Sequence, residues 1–321
     1  MKFIKYLLII SIYVISSLPG ISLSYAAKEK KAQKAVLITG ASSGIGKKTA
    51  EMMAKQGYFV YAGARKEKDL KALSANKNML GVRLDVTIQE DIDKAVELIR
   101  KEGRGLHAVV NNAGVTVFGP LIEVSEQDMQ FQMDVNLFGP YRVTKAFAPM
   151  IIESQGRVVN ISSVAGIFTG SMVGPYNMSK FAIEAYSEVL AKELKKFGVE
   201  VSIIEPGNYN SSIIKTMKRR MQQIDTTSNS QYDKEMQRLF QYFTEDRSNH
   251  KEPVDVANAI IDAVSSESPK LRYMVVPVEQ EATLTLQASF NRIIELNKKQ
   301  PFEQNRKALI EMLDIALSQH K

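Results

Sequence analysis

The sequence predicts an α/β protein, a doubly wound parallel sheet of about seven strands with helices on both faces. Three observations carry this. From Ala35 onward, short β-branched apolar runs alternate with stretches of helical spacing, the pattern of βαβ units in a sheet covered on both sides. Six of those runs end in a glycine-rich or polar cluster: "TGASSGIG", "AGAR", "LDVT", "NNAG", "NISSVAG" and "EPGNYNSS". Right-handed crossovers bring such strand ends to one side, where ligands of an open parallel sheet bind. Finally, the 321-residue chain is 45% apolar and 24% charged, which suits one large domain or two small ones with a proper core.

Residues 1–27 precede that domain. They combine a basic start, an apolar run broken by Pro19-Gly20, and Ser24 and Ala26 in small-x-small spacing, which reads as a signal peptide. The alternative is an uncleaved anchor, with membrane association through residues 7–26. Lys28, Lys30, Lys31 and Lys34 follow the run, so a retained anchor keeps its C-terminal side cytoplasmic. The retained anchor with a cytoplasmic domain is the expected localisation; a secreted or periplasmic protein after cleavage is the alternative.

The first strand is "AVLIT" (35–39), followed by the helix "IGKKTAEMMAKQG". "YFVYAGA" and "MLGVRLDV" are strands around the helical "KDLKALSA". "QEDIDKAVELIRKEG" places apolar residues at 92, 95, 96 and 99, one face of a helix. "HAVVNNAG" and "GRVVNISS" are the next strands; "SKFAIEAYSEVLAKELKKFG" is a long amphipathic helix; "VEVSIIEPG" and "LRYMVVP" (271–277) close the series. Residues 207–250 make too long a stretch for a plain loop and read as a lid within a domain spanning 28–280. Met217, Met221, Met236, Leu239, Phe240, Tyr242 and Phe243 give it an adaptable apolar face. That face either packs the lid on the body or meets a lipophilic substrate. Residues 281–321 read as a helical extension outside the catalytic core.

Composition excludes several functions. The net charge of +7 is concentrated at the lysines after residue 27 and in "KTMKRR", without interleaved aromatics, so nucleic acid is not an expected partner. The absence of cysteine removes disulfides, thiolate catalysis and cysteine-bound zinc. His107, His250 and His320 are far apart, so no metal site is expected.

"TGASSGIG" (39–46) joins strand to helix. Gly40 permits the tight turn, Gly44 lets backbone approach a pyrophosphate, and Gly46 lets helix and strand pack closely. The helix start adds amides and a positive dipole end. Downstream stand "NNAG" (Asn111 to Gly114), "DVNLFG" with Asn136, "NISSVAG" with Ser163, "YNMSK" with Tyr176 and Lys180, and Pro206-Gly207. Ser163 precedes Tyr176 by thirteen residues; strand alternation turns its rival Ser162 the other way. Together these motifs, over roughly residues 34–280, resemble the short-chain dehydrogenase/reductase family. "DVNLFGPYRVTKAFAPMI" and "EPGNYNSSI" are most similar to its retinol and 17β-hydroxysteroid branch.

The resemblance implies a Rossmann-like fold and a catalytic set of Asn136, Ser163, Tyr176 and Lys180. Tyr176 is then the general acid/base. A free phenol titrates near ~10, and a neighbouring ammonium favours the phenolate. Positions i and i+4 share a helix face, so Lys180 can lie beneath Tyr176. By resemblance Lys180 also holds the nicotinamide ribose, Ser163 bonds the substrate oxygen, and Asn136 holds a relay water. The implied cofactor residues are Gly40, Ser42, Ser43, Gly44, Ile45, Gly46, Arg65, Asp85, Asn112, Tyr176, Lys180, Pro206 and Gly207. Asp85 is matched to the adenine amine. At the end of the second strand Ala64 stands where an acidic residue would favour NAD, and Arg65 and Lys66 follow. That suits the 2′-phosphate of NADP(H), with Ser43 as a further donor. The expected reaction interconverts an alcohol and a carbonyl on a small lipophilic, steroid-, retinoid- or lipid-like molecule. The resemblance also implies a homodimer or homotetramer through helices at 136–153 and 179–197. A non-catalytic nucleotide sensor or scaffold of the same fold is the alternative; the complete Ser, Tyr, Lys and Asn set argues against it.

Overall fold

Apolar runs that satisfy their backbone only through neighbouring strands assemble here into one sheet. The computed structural model describes residues 33–210, 213, 230–244 and 250–319. The signal-peptide and anchor readings of 1–27, and Met217 and Met221 of the lid, lie outside the described residues. The strands are β1 (Ala35–Ile38), β2 (Phe59–Ala64), β3 (Met79–Arg83), β4 (Ala108–Asn111), β5 (Arg157–Ile161), β6 (Glu200–Pro206) and β7 (Arg272–Val275). They are parallel throughout, in the order β3-β2-β1-β4-β5-β6-β7.

The helices are α1 (Gly44–Lys55), α2 (Glu67–Ser74), α3 (Gln89–Glu102), α4 (Glu126–Met133), α5 (Gly139–Glu153) and α6 (Gly174–Leu194). They continue with α7 (Asp233–Thr244), α8 (Val254–Ser265), α9 (Glu279–Asn297) and α10 (Arg306–Gln319). Among the described residues no helix is long and apolar enough to cross a membrane.

Successive side chains of a strand face opposite sides, and β1 divides its residues accordingly. Val36 and Ile38 join a core with Met53 of α1 and Val256 and Ile260 of α8. Ala35 and Leu37 join a second core with Ile92 and Ile99 of α3 and Val143 and Phe147 of α5. Burying each such Leu, Ile or Phe contributes about 1.5–3 kcal/mol. The α3 pattern at 92, 95 and 99 is buried as its spacing requires, and Gly103 ends the helix at φ 65°, the left-handed cap glycine favours.

Three boundaries differ from the sequence reading, each for a local reason. β3 stops at Arg83 because Asp85 Oδ1 accepts the N–H of Thr87 at 3.1 Å, an Asx turn that bends the chain away. The helix expected from residue 136 opens with a π turn, Asp134–Phe138, before α5. The helix expected from residue 179 starts at Gly174, with Pro175 in its first turn, where a missing N–H does no harm.

β1 lies between β2 and β4, so the connections from it and from β4 leave in opposite directions. Ile38 is level with Ala62 of β2 and Val110 of β4. A crevice therefore opens just beyond these residues.

Candidate active site

The loop after β1 closes the crevice at one end. Gly40 and Gly44 have φ of 65° and 55°, conformations that glycine adopts without strain. A Cβ on Gly40 would sit 2.9 Å from the Ala113 Cα. A Cβ on Gly46 would collide with Asn112 Nδ2 and approach Gly40 O at 2.6 Å. Asn112 belongs to this cradle: its Nδ2 donates to the carbonyls of Thr39 (2.9 Å) and Gly40 (3.2 Å). Thr39 Oγ1 in return accepts the N–H groups of Asn112 and Ala113, both at 3.0 Å. The loop is thus stapled to the end of β4, with backbone open to a phosphate at the start of α1.

At the ends of β2 and β3, Arg65 Nη1 lies 3.5 Å from Asp85 Oδ2. Burial alone would raise the Asp85 carboxyl, but the Thr87 N–H and hydroxyl and the Arg65 guanidinium hold it below its usual range. Ser42, Ser43, Gly44, Ile45, Arg65, Asp85 and Asn112 all line one cavity with Ser163, Tyr176, Lys180, Pro206 and Gly207. Its volume is about 620 Å³, within the range of small-molecule sites. Glycines without room for a Cβ, a helix start, and a cation at the end of β2 fit a dinucleotide.

The other end holds the reactive set. Ser163 caps a single 3₁₀ turn, accepting the Ala165 N–H at 3.1 Å, and reaches Pro206 O at 3.4 Å. Its hydroxyl is near enough to the Tyr176 phenol to pull that group's pKa down. Lys180 Nζ donates to Ile161 O at 2.8 Å and stands 5.5 Å from the centre of the Tyr176 ring. Burial draws Lys180 down to about 8, with the Glu184 carboxylate opposing.

One expectation is corrected here. Spacing suggested that Lys180 lowers the Tyr176 pKa; burial instead raises this phenol, with the Ser163 hydroxyl opposing. The lysine donates to the β5 carbonyl of Ile161 and not to the phenol. Ser162 also borders the cavity, and its buried hydroxyl has no hydrogen-bond partner among the described residues.

Asn136 braces the site. Its Oδ1 accepts the Val115 N–H (2.9 Å), and its Nδ2 donates to Val115 O (3.0 Å) and Ser179 Oγ (3.1 Å). Ser179 Oγ donates to the Tyr176 carbonyl at 2.8 Å. Gln132, absent from the sequence reading, repeats this brace by accepting the Val117 N–H at 2.7 Å and donating to Val115 O at 3.0 Å. The π turn aims Asn136 inward; such turns recur at functional sites.

Behind Lys180 lies a charge cluster that the sequence reading missed. Arg272 Nη2 meets Glu184 Oε2 at 2.9 Å and Glu188 Oε1 at 2.6 Å, and its Nε meets Glu205 Oε1 at 3.1 Å. Burial first, and the Glu184 carboxylate second, push Glu205 up to about 7 against the pull of Arg272. The folded chain thus binds this proton more tightly than the unfolded chain, whose value is near 4.5. Stability from this group is full below about 4.5, declines as pH rises, and is lost above about 7. Glu205→Gln is expected to remove up to about 3 kcal/mol of that decline, measured as urea midpoints at several pH values between these limits. An unchanged slope in the variant rules this cause out.

The walls are apolar: Val115, Phe118, Val135, Phe168 and Val173 face the cavity. Met236, Leu239 and Phe240 of α7, like Val173, pack on Phe118, while Tyr242 lines the cavity itself. The described part of the lid therefore packs on the body, and its Tyr242 also borders the cavity. A second correction concerns the C-terminal extension. Glu281, Leu284 and Thr285 of α9 line the cavity, so α9 is part of the site and not outside the core.

A nucleotide cradle and a Ser-Tyr-Lys constellation at one switch point define a dinucleotide-dependent oxidoreductase fold. The family model for short chain dehydrogenase matches residues 34–222. A 3-ketodihydrosphingosine reductase from Bacteroides thetaiotaomicron is 34% identical over 249 residues, covering 76% of this chain and 88% of that protein. An NADPH-dependent 3-dehydrocapnine reductase from Ornithobacterium rhinotracheale is 34% identical over 254 residues, covering 75% of this chain and 87% of its own. Among solved structures, a short chain dehydrogenase/reductase from Burkholderia phymatum in complex with NAD superposes with a TM-score of 0.70. It is 25% identical and covers 85% of this chain and 98% of its own. The chain belongs to the short-chain dehydrogenase/reductase family and is an oxidoreductase of alcohol and carbonyl groups.

Proposed function

We propose that this protein is an NADP(H)-dependent oxidoreductase acting on a lipophilic alcohol or its carbonyl, with Tyr176 as general acid/base. The observation that carries this is the convergence of Ser163, Tyr176 and Lys180 on an apolar-walled cavity that runs on to the phosphate loop. When bound, the dinucleotide supplies or accepts the hydride. Tyr176 gives its proton to the substrate oxygen in reduction and takes it back in oxidation. Ser163 donates to the same oxygen as negative charge develops there. Lys180, held at the β5 carbonyl, would hold the nicotinamide ribose of a bound cofactor, and Asn136 keeps the loop after β4 and the start of α6 in register. Reduction of a panel of lipophilic ketones, followed by NADPH absorbance, tests the reading; tight NADPH binding with no turnover on any of them would sink it.

The NADP(H) preference is supported by Ala64 in place of a carboxylate at the end of β2 and by Arg65 at the cavity edge. Charge-assisted contacts to phosphate are strong. Arg65→Ser is therefore expected to lower the ratio of kcat/KM for NADPH over NADH by about 10–100-fold. A ratio that stays put assigns the 2′-phosphate elsewhere. We further place the catalytic domain on the cytoplasmic side of a membrane, anchored by the N-terminal segment. This is supported by the lysines that follow the apolar run. A C-terminal reporter fusion found on the exported side overturns this placement.

A further inference from the structure

Among the described residues, four charged side chains line the cavity: Arg65, Asp85, Lys180 and Glu281. The first two face each other at the nucleotide end, and Lys180 belongs to the reactive set. Glu281 alone has no part in the chemistry above. It stands in the first turn of α9, with Leu284 and Thr285 beside it on the same helix face. Its Oε2 accepts the N–H of Asn208 at 2.9 Å. Asn208 follows Pro206-Gly207, and Ser163 Oγ reaches the Pro206 carbonyl at 3.4 Å. The carboxylate is therefore held only two residues of backbone from the serine that meets the reacting oxygen. Gly207 makes room for it, since a Cβ there would collide with Glu281 Oε2.

Glu281 is half-buried where it lines the cavity, and a carboxylate partly taken from water gains from a cation or strong donors beside it. Among the described residues the Asn208 N–H on Oε2 is the one hydrogen bond this carboxylate makes, which leaves it available to a cation in the cavity it lines. We propose that Glu281 determines substrate specificity, selecting amphiphiles that carry a cationic group such as a protonated amine close to the reacting carbonyl or hydroxyl. The same charge disfavours keto acids and hydroxy acids, whose carboxylates it repels. The proposal deepens the oxidoreductase reading and rests on it.

The test uses three chain-matched probes: a long-chain α-amino ketone, the neutral methyl ketone, and the corresponding keto acid. With wild type, kcat/KM is expected to favour the amino ketone over the neutral ketone by about 10–100-fold, with the keto acid poorest. Glu281→Gln keeps an acceptor for the Asn208 N–H and removes the charge. It is expected to abolish that preference, mainly through KM, while changing the neutral ketone less than about threefold. Equal losses on the charged and neutral probes would show a merely structural role and overturn the proposal, as would a wild type that prefers the keto acid. Binding of an alkylammonium against the chain-matched alcohol to the NADPH complex, read by cofactor fluorescence, separates the two levels. An ammonium preference that vanishes in Glu281→Gln, without turnover of any ketone, upholds the cation site and defeats the oxidoreductase reading. No ammonium preference defeats the cation site alone.

Discussion

Tyr176→Phe is expected to lower turnover by about 10²–10⁴-fold while leaving dinucleotide affinity within a few-fold. The variant removes one oxygen from a ring in the first turn of α6, where Pro175 and the Asn136–Ser179 contact hold the backbone. The ring and its packing are retained, so a loss of fold is not expected. Ser163 keeps the Ala165 N–H and still donates to a substrate oxygen, but no acid remains to complete the alcohol. Burial raises the Tyr176 phenol, so without cofactor it stays protonated through neutral pH and is ready to act as an acid. Reduction should then be nearly level across neutral pH, and oxidation should rise with pH as the phenolate becomes available. Steady-state rates in both directions, with a fluorescence titration of NADPH, check each part. Full turnover in the variant would move the proton to another group; lost cofactor binding would make Tyr176 a binding residue first. A scaffold that merely holds nucleotide would show no change in either.

Gly46→Ala is expected to weaken dinucleotide binding by more than about tenfold and to destabilise the chain by about 1–3 kcal/mol. The new methyl group points at Asn112 Nδ2 and at the Gly40 carbonyl, 2.6 Å away. Both are polar groups of the staple between loop and β4, and neither is the flexible end of a long side chain. To make room, Asn112 must release Thr39 O and Gly40 O, and the loop that faces the phosphates shifts with it. Gly57→Ala supplies the control. Gly57 has φ of 93° but nothing within 4 Å of an added Cβ, so only backbone strain of about 1 kcal/mol is expected. Its affinity for NADPH should match wild type. Urea midpoints and NADPH titrations on the two variants separate steric damage to the cradle from general weakening. Equal affinities would mean that the loop does not carry the phosphates.

Much of the framework could be read from local pattern. β1 is a four-residue apolar run because it is buried on both faces. The α3 spacing follows from 3.6 residues per turn. Gly40, Gly44 and Gly46 announce a turn that other residues strain or cannot fit. Tyr176 and Lys180 share a helix face whenever their segment is helical. These properties belong to a few neighbouring residues and survive without knowledge of the rest of the chain.

Other features arise only when distant segments meet. The direction of the Tyr176 shift depends on burial and on where Lys180 points; its partner, Ile161 O, lies on another element nineteen residues away. Arg272 joins Glu184, Glu188 and Glu205 across separations that no spacing rule spans. Gln132 and Asn136 look like ordinary polar helix residues until both are seen bonded to Val115. Glu281 reads as one acid in a polar helix start, yet the Asn208 N–H, 73 residues away, holds it in the cavity. The sequence alone determined the sheet, the phosphate loop and the Ser-Tyr-Lys set, because local sterics and periodicity dictate them. Only the tertiary structure decided which charges face each other and which helix closes the site, because burial and electrostatic pairing are properties of the assembled chain.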